Sequence, residues 1–251
     1  MVDHSAVILD ASHHLARARY RDILAEAVKR FGAVVQTGPF SGMTVAIRSS
    51  WGDGDLLSKL LGCYEAELHE AMEAAIAAEP DVVVNIGAAE GYYAVGLACR
   101  LPKATVHAFD TSTDAQSVCR EAARLNGVER RVDVGGHCGP ETLQRVLARG
   151  QRPLVVCDCE GEEITLLDPA RVPALLSASV IVECHEFAVP NCTQAIGDRL
   201  VATHDLAVVT ESGRNPNAFP FLQRYSSLDR WIAVCEFRPC MMHWLIATPK
   251  Q

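Results

Sequence analysis

The chain has 251 residues, 49% of them hydrophobic, and a formal net charge of −8. This apolar content fills the core of one moderate domain and argues against disorder. Lys and Arg number 23 against 31 Asp and Glu, without a basic block, so the electrostatics leave no footprint for nucleic acid.

No stretch reaches the ~20 apolar residues that cross a bilayer. Met1-Val-Asp-His-Ser lacks the basic start and apolar run of a secretory leader. The expectation is a soluble, cytoplasmic protein acting on a small molecule, with no membrane or nucleic-acid partner and room for a homodimer. Ten cysteines are present, and Cys99, Cys119, Cys157 and Cys184 lie in apolar or helical runs, where a free thiol behaves as a small hydrophobe. Cys157-Asp-Cys159 is CxC without a second pair at zinc spacing, so neither a disulfide framework nor a structural zinc is expected.

In chain order, Ala6–Phe31 reads as a helix, Met43–Ile47 as a short strand and Asp55–Ala78 as a long amphipathic helix, with the loop Ser49-Ser-Trp-Gly-Asp-Gly54 between. Residues 1–80 read as an N-terminal extension. It would serve as a cap over a ligand site or, equally, as a packing appendage or oligomer surface. Residues 81–251 read as the catalytic unit. There, strands Val82–Ile86, Thr105–Phe109, Val132–Gly135, Leu154–Cys157 and Val180–Glu183 alternate with helices Tyr92–Arg100, Thr113–Asn126, Pro140–Arg149 and Glu162–Leu176, the last broken at Pro169 and Pro173. Such alternation makes a parallel sheet with right-handed crossovers. Ser112 or Thr113 suits the cap of one helix and Asn126-Gly127 its end. The rhythm then changes: a strand at Leu206–Thr210, a Pro/Gly/Asn-rich loop from Ser212 to Phe221, a helix at Leu228–Glu236 and a final strand at His243–Ala247. A last strand inserted antiparallel near one edge suits this ending.

The richest stretch is Asp81-Val-Val-Val-Asn-Ile-Gly-Ala-Ala-Glu-Gly-Tyr-Tyr93. An apolar strand stops at a small-residue loop, and a helix follows at once. Gly87 and Gly91 would let a nucleotide-like cofactor lie against bare backbone. In an open α/β sheet ligands bind at the carboxyl ends of the strands, and Asp110, ending the second strand, suits a ribose. A dinucleotide site favours G-x-G-x-x-G. Here the spacing is G-x-x-x-G, and Glu90 would repel a pyrophosphate. A sulfonium cofactor with an ammonium tail tolerates nearby acids, so the loop favours S-adenosylmethionine over NAD.

Asn85-x-Gly87-x-Ala89-x-Gly91 resembles motif I of class I S-adenosylmethionine-dependent methyltransferases. Asn-Ile-Gly-Ala-Ala-Glu-Gly-Tyr-Tyr93, then His-Ala-Phe-Asp110, then Val-Cys-Asp-Cys-Glu-Gly-Glu-Glu163 and Val182-Glu-Cys-His185 resemble, in order, the FkbM-like methyltransferases. Asn85 stands where an acid is usual, and Asp110-Thr111 where Glu-Pro is frequent. The resemblance implies a Rossmann-like methyltransferase fold: a mostly parallel seven-stranded sheet, helices on both faces, an antiparallel last strand and the N-terminal helical extension. It implies that Gly87, Ala88 and Gly91 contact the methionine moiety, with Asn85 on its ammonium, Glu90, Tyr92 and Asp158 nearby, Asp110 and Thr111 at the ribose, and His137 and Cys138 near the adenine. Tyr93 is expected to pack the first helix.

Asp158, Glu160, Glu162 and Glu163 follow the fourth strand, and Glu183, His185 and Glu186 end the fifth. These groups should converge beside the cofactor. Methyl transfer to a hydroxyl needs an aligned nucleophile and a base. His185 is the candidate base and Asp158 the alternative, with Glu183 and Glu160 beside them. Asp158, Glu183 and His185 would also suit a divalent cation. Against these readings, His185 also suits a core histidine, and Glu160 and Glu163 suit caps of the next helix. Tyr64, Glu65 and Glu67 read first as surface-helix residues, with folding over the pocket as the alternative, Arg214, Asn215 and Asn217 as a selectivity loop, and Trp231 and Trp244 as core. The leading expectation is O-methylation of a small metabolite, sugar or natural product. Alternatives are aminocarboxypropyl transfer or cyclisation with the same cofactor, an NAD-type oxidoreductase, or a non-catalytic nucleotide-binding module.

Overall fold

The computed structural model describes residues 4–48 and 55–250. The loop at 49–54 therefore lies outside the described residues. The chain begins with α1 (His4–Phe31), α2 (Leu56–Leu61), a 3-10 turn at Ala66–Leu68 and α3 (His69–Ala77). The core then alternates β1 (Val82–Ile86), α4 (Tyr92–Arg100), β2 (Thr105–Phe109), α5 (Thr113–Leu125), β3 (Val132–Gly135), α6 (Pro140–Leu147), β4 (Pro153–Cys157), α7 (Glu163–Leu166) and β5 (Ser179–Cys184). It ends with α8 (Cys192–Leu200), β6 (His204–Thr210), α9 (Ser227–Ala233) and β7 (His243–Pro249).

The seven strands form one sheet in the order β3-β2-β1-β4-β5-β7-β6. The first five are parallel, while β7 inserts antiparallel between β5 and β6 and leaves β6 on the edge. All five β1 residues are buried, as expected of a parallel strand covered on both faces. Val83 packs with α4, α5 and the N-terminal segment, while Val82, Val84 and Ile86 pack with α6 and α8. The strand order reverses between β1 and β4, and this places a crevice at their carboxyl ends.

The first eighty residues share the central core: Tyr20, Ile23, Leu57 and Leu60 join the cluster that holds Val83 and Leu97. The Tyr20 hydroxyl accepts from Leu57 N at 2.6 Å, and Arg19 grips Asp229 of α9 through Nε and Nη2 at 2.8 and 3.1 Å. Two expectations for this segment fail. Met43–Ile47 makes a single bridge, Thr44 to Val34. The Asn126 side chain takes both backbone groups of Thr44, so no ladder extends there. The helix expected over 55–78 breaks at Gly62. This residue has φ +82° and lies so close to Thr37 that a Cβ would meet its carbonyl oxygen at 2.0 Å. Ser112 caps α5 by accepting from Ala115 N. The crossover helix α8 had no expectation behind it. No helix among the described residues is long and apolar enough to cross a membrane.

Candidate active site

A cavity of about 270 Å³ opens at the carboxyl ends of β1, β2 and β4. Its floor is the loop 87–91, and the amides of Gly87, Ala88, Ala89 and Gly91 are spent within the protein. Gly87 N and Ala88 N donate to the Phe109 carbonyl at 2.9 Å, and Gly91 N donates to the Ala88 carbonyl at 2.7 Å. Ala89 N donates to Asp110 Oδ2 at 2.8 Å. The glycines serve the fold more than a ligand. A Cβ on Gly87 (φ +73°) would sit 1.5 Å from the Asp158 carbonyl oxygen, and one on Gly91 (φ +88°) would sit 2.7 Å from Cys119 Sγ. The positive φ angles admit glycine readily, and the missing side chains let the loop press onto β4 and α5.

Six carboxylates line this cavity: Asp55, Glu90, Asp110, Asp158, Glu160 and Glu162. Among the described residues, Lys59 is the single Lys or Arg that lines it. Its ammonium is held by Asp55 at 2.6 Å and by Glu90. Burial pulls the Lys59 pKa down, but these two acids hold it well above its ordinary value. Asp110 is fixed by Ala89 N on one oxygen and by Ser112 N on the other at 2.8 Å. Each oxygen keeps a second lone pair.

Gly87, Glu90, Asp110, Thr111, His137, Cys138 and Asp158 of the expected cofactor set line the cavity, whereas Asn85, Ala88, Gly91 and Tyr92 do not. Asn85 is buried within β1, and its amide donates across to the Val156 carbonyl at 3.3 Å. Tyr92 packs edge-on against Phe40 and Tyr64, with ring centroids 5.2 and 5.5 Å away, and its hydroxyl finds no partner. Tyr93 packs in the same aromatic cluster and donates to Glu65.

A second cavity of about 320 Å³ adjoins the first, and Asp55, Tyr64, Asp158 and Glu160 line both. His185 and Glu183 form its base. His185 Nδ1 lies 2.7 Å from Glu163 Oε1, while its Nε2 lies 3.5 Å from Asp158 Oδ1 and 3.4 Å from Glu160 Oε2. Burial works against the imidazolium, but the hydrogen bond to Glu163 and the charges of Asp158 and Glu160 raise the His185 pKa. Asp158 is pushed up to about 7, first by its desolvated place between the cavities and then by Glu65, against the pull of His185. Glu183 is bound by Arg238 Nη1 at 2.5 Å. Asp158, Glu183 and His185 each present one ligand atom within 4.8 Å of the others. That donor set suits a divalent cation in type, but the positive charge at Glu183 is already supplied by Arg238.

No protein-family model and no curated protein matches the sequence. Among solved structures, a precorrin-6y C5,15-methyltransferase from Geobacter metallireducens aligns at TM-score 0.47 and 13% identity, over 72% of this chain and 88% of its own. An O-methyltransferase from Streptomyces achromogenes, solved with SAM, aligns at TM-score 0.47 and 13% identity over 76% and 82%. An O-methyltransferase from Bacillus cereus, solved with SAH, gives TM-score 0.44 and 13% identity over 78% and 96%. Likeness at this level transfers no activity.

Several site residues escaped the sequence. Lys59 of α2 reaches the first cavity, and Asp55, at the N-terminal edge of α2, and Tyr64 reach both. Glu65 is buried, so the surface-helix expectation fails there. Arg238 ties Glu183, Glu65 and Glu236 together. Arg214 is a buried tie between Glu67 and Glu236, at 2.7 Å to each, not a free selectivity residue. Trp244 is buried, but Trp231 is 57% exposed and outside the core. Glu163 is fully buried and bonded to His185. The one available signal for Glu163 was its spacing after Asp158; nothing in sequence pairs it with a histidine 22 positions on.

Proposed function

We propose that the protein is an S-adenosylmethionine-dependent methyltransferase, FkbM-like, that methylates a hydroxyl of a small metabolite, sugar or natural product in the cytoplasm. The observation that carries this reading is the chemistry of the first cavity. Six carboxylates face one already paired lysine, and the loop amides of Gly87, Ala88, Ala89 and Gly91 are all engaged. A pyrophosphate would meet repulsion with these amide donors withdrawn. A cofactor carrying a sulfonium and an ammonium is complementary. The Ile86, Phe109 and Leu166 walls suit a nucleoside base, and the open lone pairs of Asp110 suit a ribose.

The bound cofactor supplies an electrophilic methyl group. The residues of the chain do the rest. The second cavity holds the acceptor, and the residues that line both cavities mark where they meet. His185 Nε2 takes the hydroxyl proton, and Asp158 and Glu160 stabilise the imidazolium. Arg238 and Glu183 form a fixed polar wall that orients the acceptor. The segment 1–80 acts as a cap, since Asp55, Lys59 and Tyr64 close the cavities from outside the sheet.

Titration calorimetry with S-adenosylmethionine, S-adenosylhomocysteine and NAD tests this. Binding of the first two alone is expected; binding of NAD alone would end the reading. Product analysis on candidate acceptors should yield S-adenosylhomocysteine, whereas methylthioadenosine would indicate aminocarboxypropyl transfer or cyclisation.

A further inference from the structure

We propose that Glu163 is a positioning residue that fixes the tautomer of His185 and, with the same oxygen, the turn joining the two cavities. This inference rests on the methyl-transfer reading of the site only for its use, not for its geometry. Glu163 opens α7 and is fully buried. Its Oε1 receives three donors: His185 Nδ1 at 2.7 Å, Cys159 N at 3.1 Å and Gly161 N at 3.2 Å. The two amides belong to the turn after β4, in which Glu160 takes φ +57°, a conformation that costs a non-glycine residue energy unless its surroundings hold it.

The consequence is a division of the imidazole. An ionised Glu163 only accepts, so Nδ1 must carry the proton, and in the neutral ring Nε2 then carries the lone pair. Nε2 is the nitrogen beside Asp158 and Glu160, two of the three acids that line both cavities. The charged groups that face His185 are Glu163 from α7, Asp158 and Glu160 from the turn, and Glu183 from β5, within 4.8 Å and itself bound by Arg238; Phe187 adds only an edge-on ring at 5.6 Å. Glu163 keeps its charge despite burial because His185 and the Gly161 amide hold its pKa below the ordinary value. The same bonds that aim the base therefore also set where Asp158 and Glu160 stand relative to it.

Long-range 1H–15N spectra of the ligand-free protein test this, with the His185 signals assigned by their loss in His185→Gln. In the wild type, neutral His185 should be the Nδ1–H tautomer. In Glu163→Gln its titration midpoint should fall by about one pH unit or more, a ten-fold change in proton affinity; Glu163→Asp should recover part of it. A neutral Nε2–H tautomer in the wild type overturns the proposal, whether or not the variants fold. So does an unchanged midpoint in a variant whose circular dichroism is native. A merely structural carboxylate would alter the melting temperature and leave the titration alone. If calorimetry shows no S-adenosylmethionine binding while the tautomer is as stated, the methyl-transfer reading fails and the positioning role stands.

Discussion

Lys59 of α2 and Glu90 of the β1–α4 loop form an ion pair in which each side chain is only 5% exposed. It joins the N-terminal segment to the floor of the first cavity, with Asp55 completing the charge balance. Breaking a buried pair from one side leaves an uncompensated charge, at a cost of about 3–5 kcal/mol. Lys59→Met should therefore lower stability by that amount in urea titrations and weaken S-adenosylhomocysteine binding. A variant as stable as the wild type would show that the pair is solvated in solution.

In the proposed reading, Asp110 offers its remaining lone pairs to a ribose. A hydrogen bond to a charged group is worth roughly 1.5–3 kcal/mol, so Asp110→Ala should weaken cofactor binding on the order of ten- to a hundred-fold. Calorimetry would reveal it. An unchanged affinity would move the ribose elsewhere in the cavity.

The glycines separate conformational strain from steric exclusion. At Gly127 (φ +65°) a Cβ meets nothing within 4 Å, so Gly127→Ala should cost only the left-handed backbone penalty, about 1–2 kcal/mol. Gly87→Ala adds a clash with the Asp158 carbonyl and should cost roughly 3 kcal/mol or more. Equal melting temperatures for the two variants would contradict the close approach of loop and strand.

The His185 imidazole has its folded pKa raised above the ordinary 6.5. Its stabilising contribution is therefore fully present below pH 6.5 and is lost as the pH rises through the raised value. Denaturation of the wild type should show stability declining over that window, and His185→Gln should lack that part of the slope. Parallel curves for the two proteins would place the titration in another group.

Arg238 already binds Glu183, and the proposed reading uses His185 as the base, so under that reading a divalent cation is not required. Dialysis against a chelator should leave cofactor binding and turnover unchanged. A loss restored by Mg2+ or Mn2+ would assign the site formed by Asp158, Glu183 and His185 to a metal.

The parallel sheet was legible because its strands are written locally: Val82–Ile86 is an unbroken apolar run, and Ser112 caps its helix as its chemistry suggests. The acidic strand ends at Asp158 and Glu183–His185 were legible for the same reason, since topology brings carboxyl ends together. What stayed hidden depends on contacts across long chain separations. Lys59 and Glu65 look like helix-surface charges until α2 breaks at Gly62 and turns them inward. Arg238 lies in a stretch with no periodic signal, and two of its three carboxylates, Glu65 and Glu183, come from distant parts of the chain. Asn85 occupied the motif position of a ligand contact, yet the pleat of β1 points its amide at β4.

The excursion between β6 and β7 is closed at its base: Glu211 N donates to the Met242 carbonyl at 2.9 Å, and Met242 N donates to Glu211 Oε2 at 3.3 Å. Arg238, Glu236 and Phe237 of the acceptor cavity all hang from that clasp. Because entry and exit are neighbours, the excursion can lengthen, shorten or be exchanged without shifting the register of either strand. Under the proposed reading, acceptor choice and cofactor binding thus draw on separable stretches of chain, and this clasp is the natural seam for building chimeras.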